Sequence, residues 1–379
     1  MPNDRNWAFY YDSCMKIALA KPELGLRELE FATEAIQSGQ ISGSGKFINQ
    51  MEKNLASYTG REYCVAVANG TVALHLALLA LEIGAGDEVI IPDFGYVAFA
   101  NAVLYVGAIP IMVDIEADSW GMDPLEVRKH ITSRTKALII VHNYGLAGDI
   151  QSLIEIAQEF DLKLIEDAAE ALCGEYRGKK LGSLGDISTF SFFGNKILTS
   201  GEGGAILTNR VELDVKIRLL RGQGMDPKRR YWFSELGYNY RLSNLQASVF
   251  CAQFEKLDEF SQKRKLLFTR YEEIIKSIGT SLFKSNDSYA PWLFTFLLNE
   301  GLDRDDFMHF LEKQGIETRP AFPAIHLLPE YQKYSKSEYI ESTTVSNRGV
   351  SLPTFAGMSE AEFSYIEEAI KLYGAVDRL

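Results

Sequence analysis

"LKLIEDAAEALCGEYRGKKLGSLGDISTFSFFGNKILTSGEGGAILTN", residues 162–209, is the stretch on which the fold of this chain turns. Three runs within it, LKLIEDAA (162–169), ISTFSFF (187–193) and GGAILTN (203–209), are almost continuously apolar and are punctuated by glycine, aspartate and asparagine. Runs of this length without alternation predict strands buried on both faces, as in a mostly parallel sheet covered by helices. Two charged groups break the apolar pattern where strands end: Asp167 closes the first run and Lys196 follows the second. In open α/β sheets, ligands bind beyond the carboxyl ends of the strands. A buried lysine without a partner is costly, because desolvation disfavours its charged form. Lys196 therefore either swings out to solvent or has its amine in use.

The same alternation extends upstream. DEVIIPD (87–93), IPIMVDI (109–115) and KALIIVHN (136–143) predict strands, while TVALHLALLALEIG (71–84), GYVAFANAVLYVG (95–107) and DIQSLIEIAQEFD (149–161) carry helical periodicity. Gly84 and Gly107 stand in C-cap positions. Strands alternating with helices predict an α/β layered domain. Downstream, one long helix is expected from about 242 to 278, then a strand in YAPWLFTFLL (289–298), a helix in DRDDFMHFLEKQG (303–315) and a closing helix in SEAEFSYIEEAIKLYG (359–374). At 379 residues the chain exceeds the usual single core. The expected division is a large domain over 1–255, with an N-terminal arm over about 1–25, and a smaller α/β domain over 256–379.

A net charge of -12 argues against nucleic acid as a partner, since phosphate backbones demand a basic surface. It leaves room for one phosphorylated small molecule in a local pocket. No apolar run approaches the roughly 18–20 residues that span a bilayer, and MPNDRNWAFYYDS at the N-terminus has no secretion pattern. Cys14, Cys64, Cys173 and Cys251 are scattered, with neither CxxC nor metal-type spacing, so no metal site is expected. Reduced thiols in a cytoplasmic protein fit this usage.

The chemistry lies in the spacing of Asp167 and Lys196, 29 residues apart with a strand between them. A carboxylate at a strand end reads either as a helix N-cap or as the partner of a protonated ring nitrogen. The lysine favours the second reading, because the pair matches the needs of pyridoxal 5'-phosphate (PLP). An amine takes the cofactor aldehyde covalently, and a carboxylate keeps the pyridine nitrogen protonated so that the ring accepts electrons when a Cα–H bond breaks. For the phosphate, Asn69-Gly70-Thr71 precedes an apolar helix and forms either an anion seat or an ordinary capped start. Ser191, five residues before Lys196, offers a further hydroxyl. Tyr96, after a strand end, either stacks on a ring face or belongs to the core.

The ordered set ANGTVALHLAL, LIEDAAEA, STFSFFGNKILTSGEGGAILTN and RLLRGQGMDPKRRYWFSELGYNYRLSNLQAS resembles the PLP-dependent sugar aminotransferases of the DegT/DnrJ/EryC1/StrS family, from about residue 20 to the C-terminus. The resemblance implies an aspartate-aminotransferase type α/β fold (PLP fold type I), with a large mixed, mostly parallel sheet domain and a smaller C-terminal α/β domain. It implies Lys196 as covalent anchor and proton carrier, Asp167 on the pyridine nitrogen, and Gly70, Thr71 and Ser191 on the phosphate. Tyr96 is expected at the ring, and Glu170 near the ring hydroxyl, where the family often has glutamine. Asn239 is expected to reach the phosphate in a neighbouring subunit, which implies a homodimer with shared sites. FFGNKILTSGEGG and RGQGMDPKRRYWF are most similar to the branch that aminates GDP-4-keto-6-deoxymannose, with glutamate as amino donor, for cell-surface polysaccharide.

The alternative substrates are a keto-derivative of an eight-carbon ulosonic acid and another nucleotide-linked 4-keto sugar. A sugar dehydratase of the family carries histidine in place of the lysine, and a PLP-binding regulator predicts a degraded one. Lys196 argues against both. Arg229, Arg230, Arg319 and His326 are expected to face substrate, the alternative for the arginine pair being a solvated loop. The chain departs from the family in RPAFPAIH, where relatives read roughly R-P-x-F-H-P-x-H, in Phe355, where they often carry histidine, and in PDFGY, where P-S-x-T-Y is more common. These departures spare the cofactor residues and cluster where the sugar should sit.

Overall fold

The computed structural model describes residues 15–283 and 289–376, so Cys14 and the N-terminal stretch weighed above lie outside the described residues. Helices α1 (Leu26–Gln37) and α2 (Lys46–Thr59) lead into β1 (Tyr63–Val67). There follow α3 (Gly70–Ala80), β2 (Glu88–Pro92), α4 (Ala98–Tyr105), β3 (Ile109–Val113), α5 (Pro124–His130), β4 (Thr135–Val141), α6 (Ile150–Glu159) and β5 (Lys163–Asp167). A small hairpin, β6 (Glu175–Tyr176) with β7 (Lys179–Lys180), separates β5 from β8 (Ile187–Ser191), and β9 (Gly204–Thr208) precedes α7 (Val211–Arg221). Seven strands form one sheet in the order β1-β9-β8-β5-β4-β2-β3. β2, β3, β4, β5 and β8 run parallel, whereas β9 is antiparallel to both neighbours. The mixed, mostly parallel sheet therefore gathers the carboxyl ends of β2, β4, β5 and β8 along one edge.

β2 and β9 are buried along their whole length, and β5 from Leu164 onward, as expected for continuous apolar runs. One strand escaped the pattern: β1, YCVAV, holds cysteine and alanine, which carry little strand preference of their own. Gly107 (φ +76) follows the last turn of α4 as expected, and Ala108 N–H returns to the Val103 carbonyl at 3.1 Å. Gly84 does not cap α3, which ends at Ala80 with Glu82 in the left-handed conformation (φ +61). The helix expected over 242–278 is two, α8 (Asn244–Phe254) and α9 (Leu257–Ile275). The two residues between them turn their charges onto α1, Glu255 to Arg27 at 2.7 Å and Lys256 to Glu28 at 3.0 Å.

The second sheet is antiparallel, in the order β10-β11-β13-β12, from β10 (Gly279–Thr280), β11 (Thr295–Leu298), β12 (Arg319–Pro320) and β13 (Gly349–Ser351). It packs with α9, α10 (Arg304–Lys313), α11 (Ile340–Arg348) and α12 (Glu360–Val376) around Phe268, Phe283, Phe294 and Phe307. The strand expected over 289–298 is regular only from Thr295 onward, and residues 290–294 are buried but irregular. That segment meets the main sheet's edge, where Ala290 N–H donates to the Gly145 carbonyl at 3.0 Å. Among the described residues no helix is long and apolar enough to cross a membrane.

Gly145 has φ +82, and a Cβ there would press into the Ala290 backbone. Gly145→Ala is expected to destabilise the protein by about 1–3 kcal/mol through backbone strain and overlap. The denaturation midpoint in urea checks this, with a surface Gly301→Ala variant (φ +92, no neighbour in the way) separating strain from overlap.

Candidate active site

Asp167 is the last residue of β5 and is buried. Its Oδ1 accepts the Ala169 N–H at 3.1 Å, which closes a turn and not a helix, so the N-cap reading falls away. Lys196 rides on the loop after β8. That loop is closed on itself: Phe192 N–H donates to Gly203 O at 2.8 Å, and Ser200 N–H to Phe192 O at 3.0 Å. The lysine does not swing out. Its Nζ lies 3.5 Å from Glu170 Oε1 and 3.9 Å from the centroid of the Trp292 ring, with the side chain only 13% exposed. Glu170, Ser191, Lys196 and Trp292 line one small cavity.

Burial sets the charges here. It lowers the Lys196 amine against the pull of Glu170 and Asp167, and it pushes Glu170 up to about 7 against the pull of Lys196. Asp167 is likewise raised by burial, its own turn and the charge on Lys196 opposing. A cation over an indole gains about 0.5–2 kcal/mol, whereas full burial shifts a lysine by up to roughly 3–5 units. Burial therefore decides the direction for Lys196.

Strand alternation explains why Asp167 stands where it does. Glu166, its neighbour, points to the other face and is fully used: Gly182, Leu184 and Gly185 donate backbone N–H groups at 2.9, 2.5 and 2.7 Å, and His142 Nε2 sits 3.1 Å away. Burial alone would raise Glu166, yet His142 and these donors hold it below the ordinary range. Tyr144, in the left-handed conformation at φ +53, aims its N–H at Glu170 Oε2 (2.8 Å). Left-handed backbone is uncommon outside glycine and gathers at functional sites.

Asn69 caps α3, its side chain accepting the Val72 N–H at 3.0 Å, so Gly70 and Thr71 form the first turn. A Cβ on Gly70 would stand 3.0 Å from Ser191 Cβ, and one on Gly204 would stand 2.5 Å from the Asn69 carbonyl carbon. Helix start, Ser191 and β9 thus converge with no room to spare. Tyr96 is 59% exposed, not core, with its ring 5.7 Å from Phe322, which in turn stacks on Tyr144 at 5.0 Å.

Residues 22–371 match the DegT/DnrJ/EryC1/StrS aminotransferase family model. The chain belongs to that family. It is 43% identical over 361 residues to a GDP-perosamine synthase of Caulobacter vibrioides, covering 94% of this chain and 97% of the relative. A GDP-perosamine synthase of Escherichia coli O157:H7 is 40% identical over 356 residues, covering 93% and 97%. The PLP form of Spr1654 from Streptococcus pneumoniae superposes with a TM-score of 0.89 at 26% identity, covering 95% of this chain and 99% of that one.

As a member of this aminotransferase family the chain is a PLP-dependent enzyme, and the donor set fits the group. It offers an amine out of water, a buried carboxyl at a strand end, and a helix start with Ser191 beside it. The residues expected at the substrate, and Asn239, expected at a neighbouring subunit's phosphate, have other partners. Arg229 and Arg230 are exposed and lie over rings of their own loop, Trp232 at 4.0 Å and Tyr231 at 5.0 Å. Asn239 is exposed on the same loop, bridged to Gly222. Arg319 is exposed and faces Glu317 at 3.2 Å.

His326 is occupied. Its Nδ1 is 2.5 Å from Asp93 Oδ2, its own N–H donates to Asp93 Oδ1 at 2.8 Å, and its ring stacks on Tyr339. Asp93 is fully buried, and burial pushes it up to about 6 against the pull of His326. Asp93 and Trp292 were not singled out in the sequence. The signal for Asp93 was the PDFGY departure, since serine is common there, but Trp292 gave none.

Because the folded state holds a proton on Glu170 up to about pH 7 and an unfolded glutamate releases it near 4.5, stability from this group falls as pH rises between those values. In cofactor-free protein, Glu170→Gln is expected to remove that slope. Thermal midpoints of wild type and variant from about pH 5 to 8 check it, and two parallel curves would refute it.

Proposed function

We propose that this enzyme aminates a 4-keto nucleotide sugar, GDP-4-keto-6-deoxymannose, using glutamate as donor, for cell-surface polysaccharide such as lipopolysaccharide O-antigen. The observation that carries the reading is the Lys196 amine, buried between Glu170 and Trp292 in a cavity shared with Ser191. Two relatives named GDP-perosamine synthase, 43% and 40% identical over most of both chains, support the choice of substrate.

When bound, PLP supplies an electron sink for the broken Cα–H bond. The chain does the rest. Lys196 would hold the cofactor and serve as the base that carries the proton from the substrate Cα to the cofactor's C4′. Burial lowers the proton affinity of Lys196, which favours the neutral amine that acts as a base. Asp167 would pair with the pyridine nitrogen, Glu170 would stand by the ring hydroxyl, and Tyr96 would border the ring. Gly70, Thr71 and Ser191 would seat the phosphate. Arg229, Arg230, Arg319 and His326 belong to the substrate side of this reading, and for His326 the role passes through its bond to Asp93.

A homodimer completes the site in this reading. Tyr231, Trp232, Phe233 and Leu236 are 73%, 50%, 53% and 83% exposed around Asn239, an apolar loop suited to burial against a second copy that receives Asn239 at its phosphate. The large unit is taken as 1–255 and the small as 256–379. Cys64, Cys173 and Cys251 are unbridged, which supports a reducing, cytoplasmic setting.

Incubation with PLP and borohydride is expected to fix the cofactor on the peptide carrying Lys196, read by mass spectrometry. Lys196→Ala is expected to lose transamination by at least roughly 10³-fold, since both anchor and base go, and a variant at wild-type rate would refute the assignment. In a panel of 4-keto nucleotide sugars and keto-ulosonic acids with glutamate, 2-oxoglutarate should be released with the GDP-linked substrate. Release only with the others would remove it.

A further inference from the structure

Trp292 belongs to the irregular segment that precedes β11, and three of its contacts converge on Lys196. Its Nε1–H donates to the carbonyl of Asn195, the residue before the lysine, at 2.9 Å. Its ring covers the lysine amine at 3.9 Å. Its ring also stacks on Tyr144 at 5.7 Å and 22°, whose backbone N–H holds Glu170, the carboxyl beside the same amine. One indole thus touches the backbone, the amine and, through one residue, the counter-charge.

The segment is itself held by an arrangement that packing alone would not require. Arg264 of α9 is buried and donates Nη1–H to the Trp292 carbonyl at 2.7 Å, while its Nε has no hydrogen-bond partner. Burying a guanidinium to grip one main-chain carbonyl is costly unless the position of that carbonyl matters. Ala290 N–H on Gly145 O at 3.0 Å and Phe294 N–H on Thr354 Oγ1 at 3.0 Å fix the segment on either side.

We propose that Trp292 is a positioning residue for Lys196: carried on the segment before β11, it keeps water from the amine and fixes the lysine loop through the Asn195 carbonyl. This rests on Lys196 being the acting amine. The charged and titratable groups facing that amine are Glu170 and Asp167. Arg264 donates to the Trp292 carbonyl, and the Tyr144 hydroxyl accepts the Phe322 N–H at 3.1 Å. Two effects of the indole oppose each other. Its π face favours the charged amine, while its exclusion of water favours the neutral one. Exclusion is the larger for a group this buried, so removing the ring should raise the proton affinity of Lys196.

The test uses full-length, cofactor-free protein. Lys196 is titrated by competitive acetylation with acetic anhydride from about pH 6 to 11 and read on its peptide by mass spectrometry. Trp292→Ala is expected to move the midpoint up by about one unit, a tenfold loss of neutral amine near pH 7. Trp292→Phe, which keeps a smaller ring and lacks the N–H, is expected to fall between the two. In the PLP-loaded enzyme, kcat should follow the same order with the glutamate KM little changed, a split that general loosening would not give. Circular dichroism confirms folding. Should Trp292→Ala fail to fold, Trp292→Phe decides. Folded variants that titrate with wild type overturn the proposal. Wild type that takes no cofactor on Lys196 under borohydride sinks the lysine assignment instead, so the two failures are distinct.

Discussion

A lysine amine held out of water, 3.5 Å from a carboxyl that the same burial has pushed up to about 7, is the constraint around which the rest is arranged. Neither group would be tolerated there alone, since an isolated buried charge is expensive. Together with Asp167 they form a cluster of two carboxyls and one amine whose titrations are coupled through their charges. The sheet supplies the rigid edge on which such a cluster can be kept. Because β5 is buried on both faces, its two final residues face opposite ways, and each must be satisfied separately. Glu166 is satisfied by backbone donors, His142 and Arg61, whereas Asp167 keeps capacity for a partner.

The amine itself is enclosed from two directions. The loop after β8 brings it to the edge, and the irregular segment before β11 lays an indole over it. Enclosure by two separate elements makes local polarity a tertiary property, set by how the second sheet docks. The parallel aromatic rings of Trp292, Tyr144 and Phe322, with interplanar angles of 22°, 16° and 21°, make the docking surface stiff.

Much of this was readable from the chain. Lys196 and Asp167 stood out because each interrupts a run that burial otherwise keeps apolar, and Asn69-Gly70-Thr71 because polar residues preceded an unbroken apolar helix. What escaped was decided by contacts remote in sequence. Trp292 sits in a run that reads as a strand, and nothing local says that Asn195 will use its N–H. Glu255 and Lys256 are ordinary helix residues, and only α1, more than two hundred residues earlier, makes them a break. Asp93 was visible only as an oddity within PDFGY. Tyr96, Arg229 and Arg230 show the reverse: residue type suggested a role, while their exposure in a single chain leaves it to be completed by a ligand or a second copy.

The Asp93–His326 pair has a consequence for how this enzyme can change. The carboxyl is fully buried and accepts both the backbone and the ring of His326. Without the histidine, Asp93 is a stranded buried acid, and without Asp93 the histidine loses its partner on the loop whose Phe322 packs against Tyr96 and Tyr144. The two positions, 233 residues apart, are coupled through this contact, so a change at one is felt at the other. Either is therefore a costly place for a single substitution.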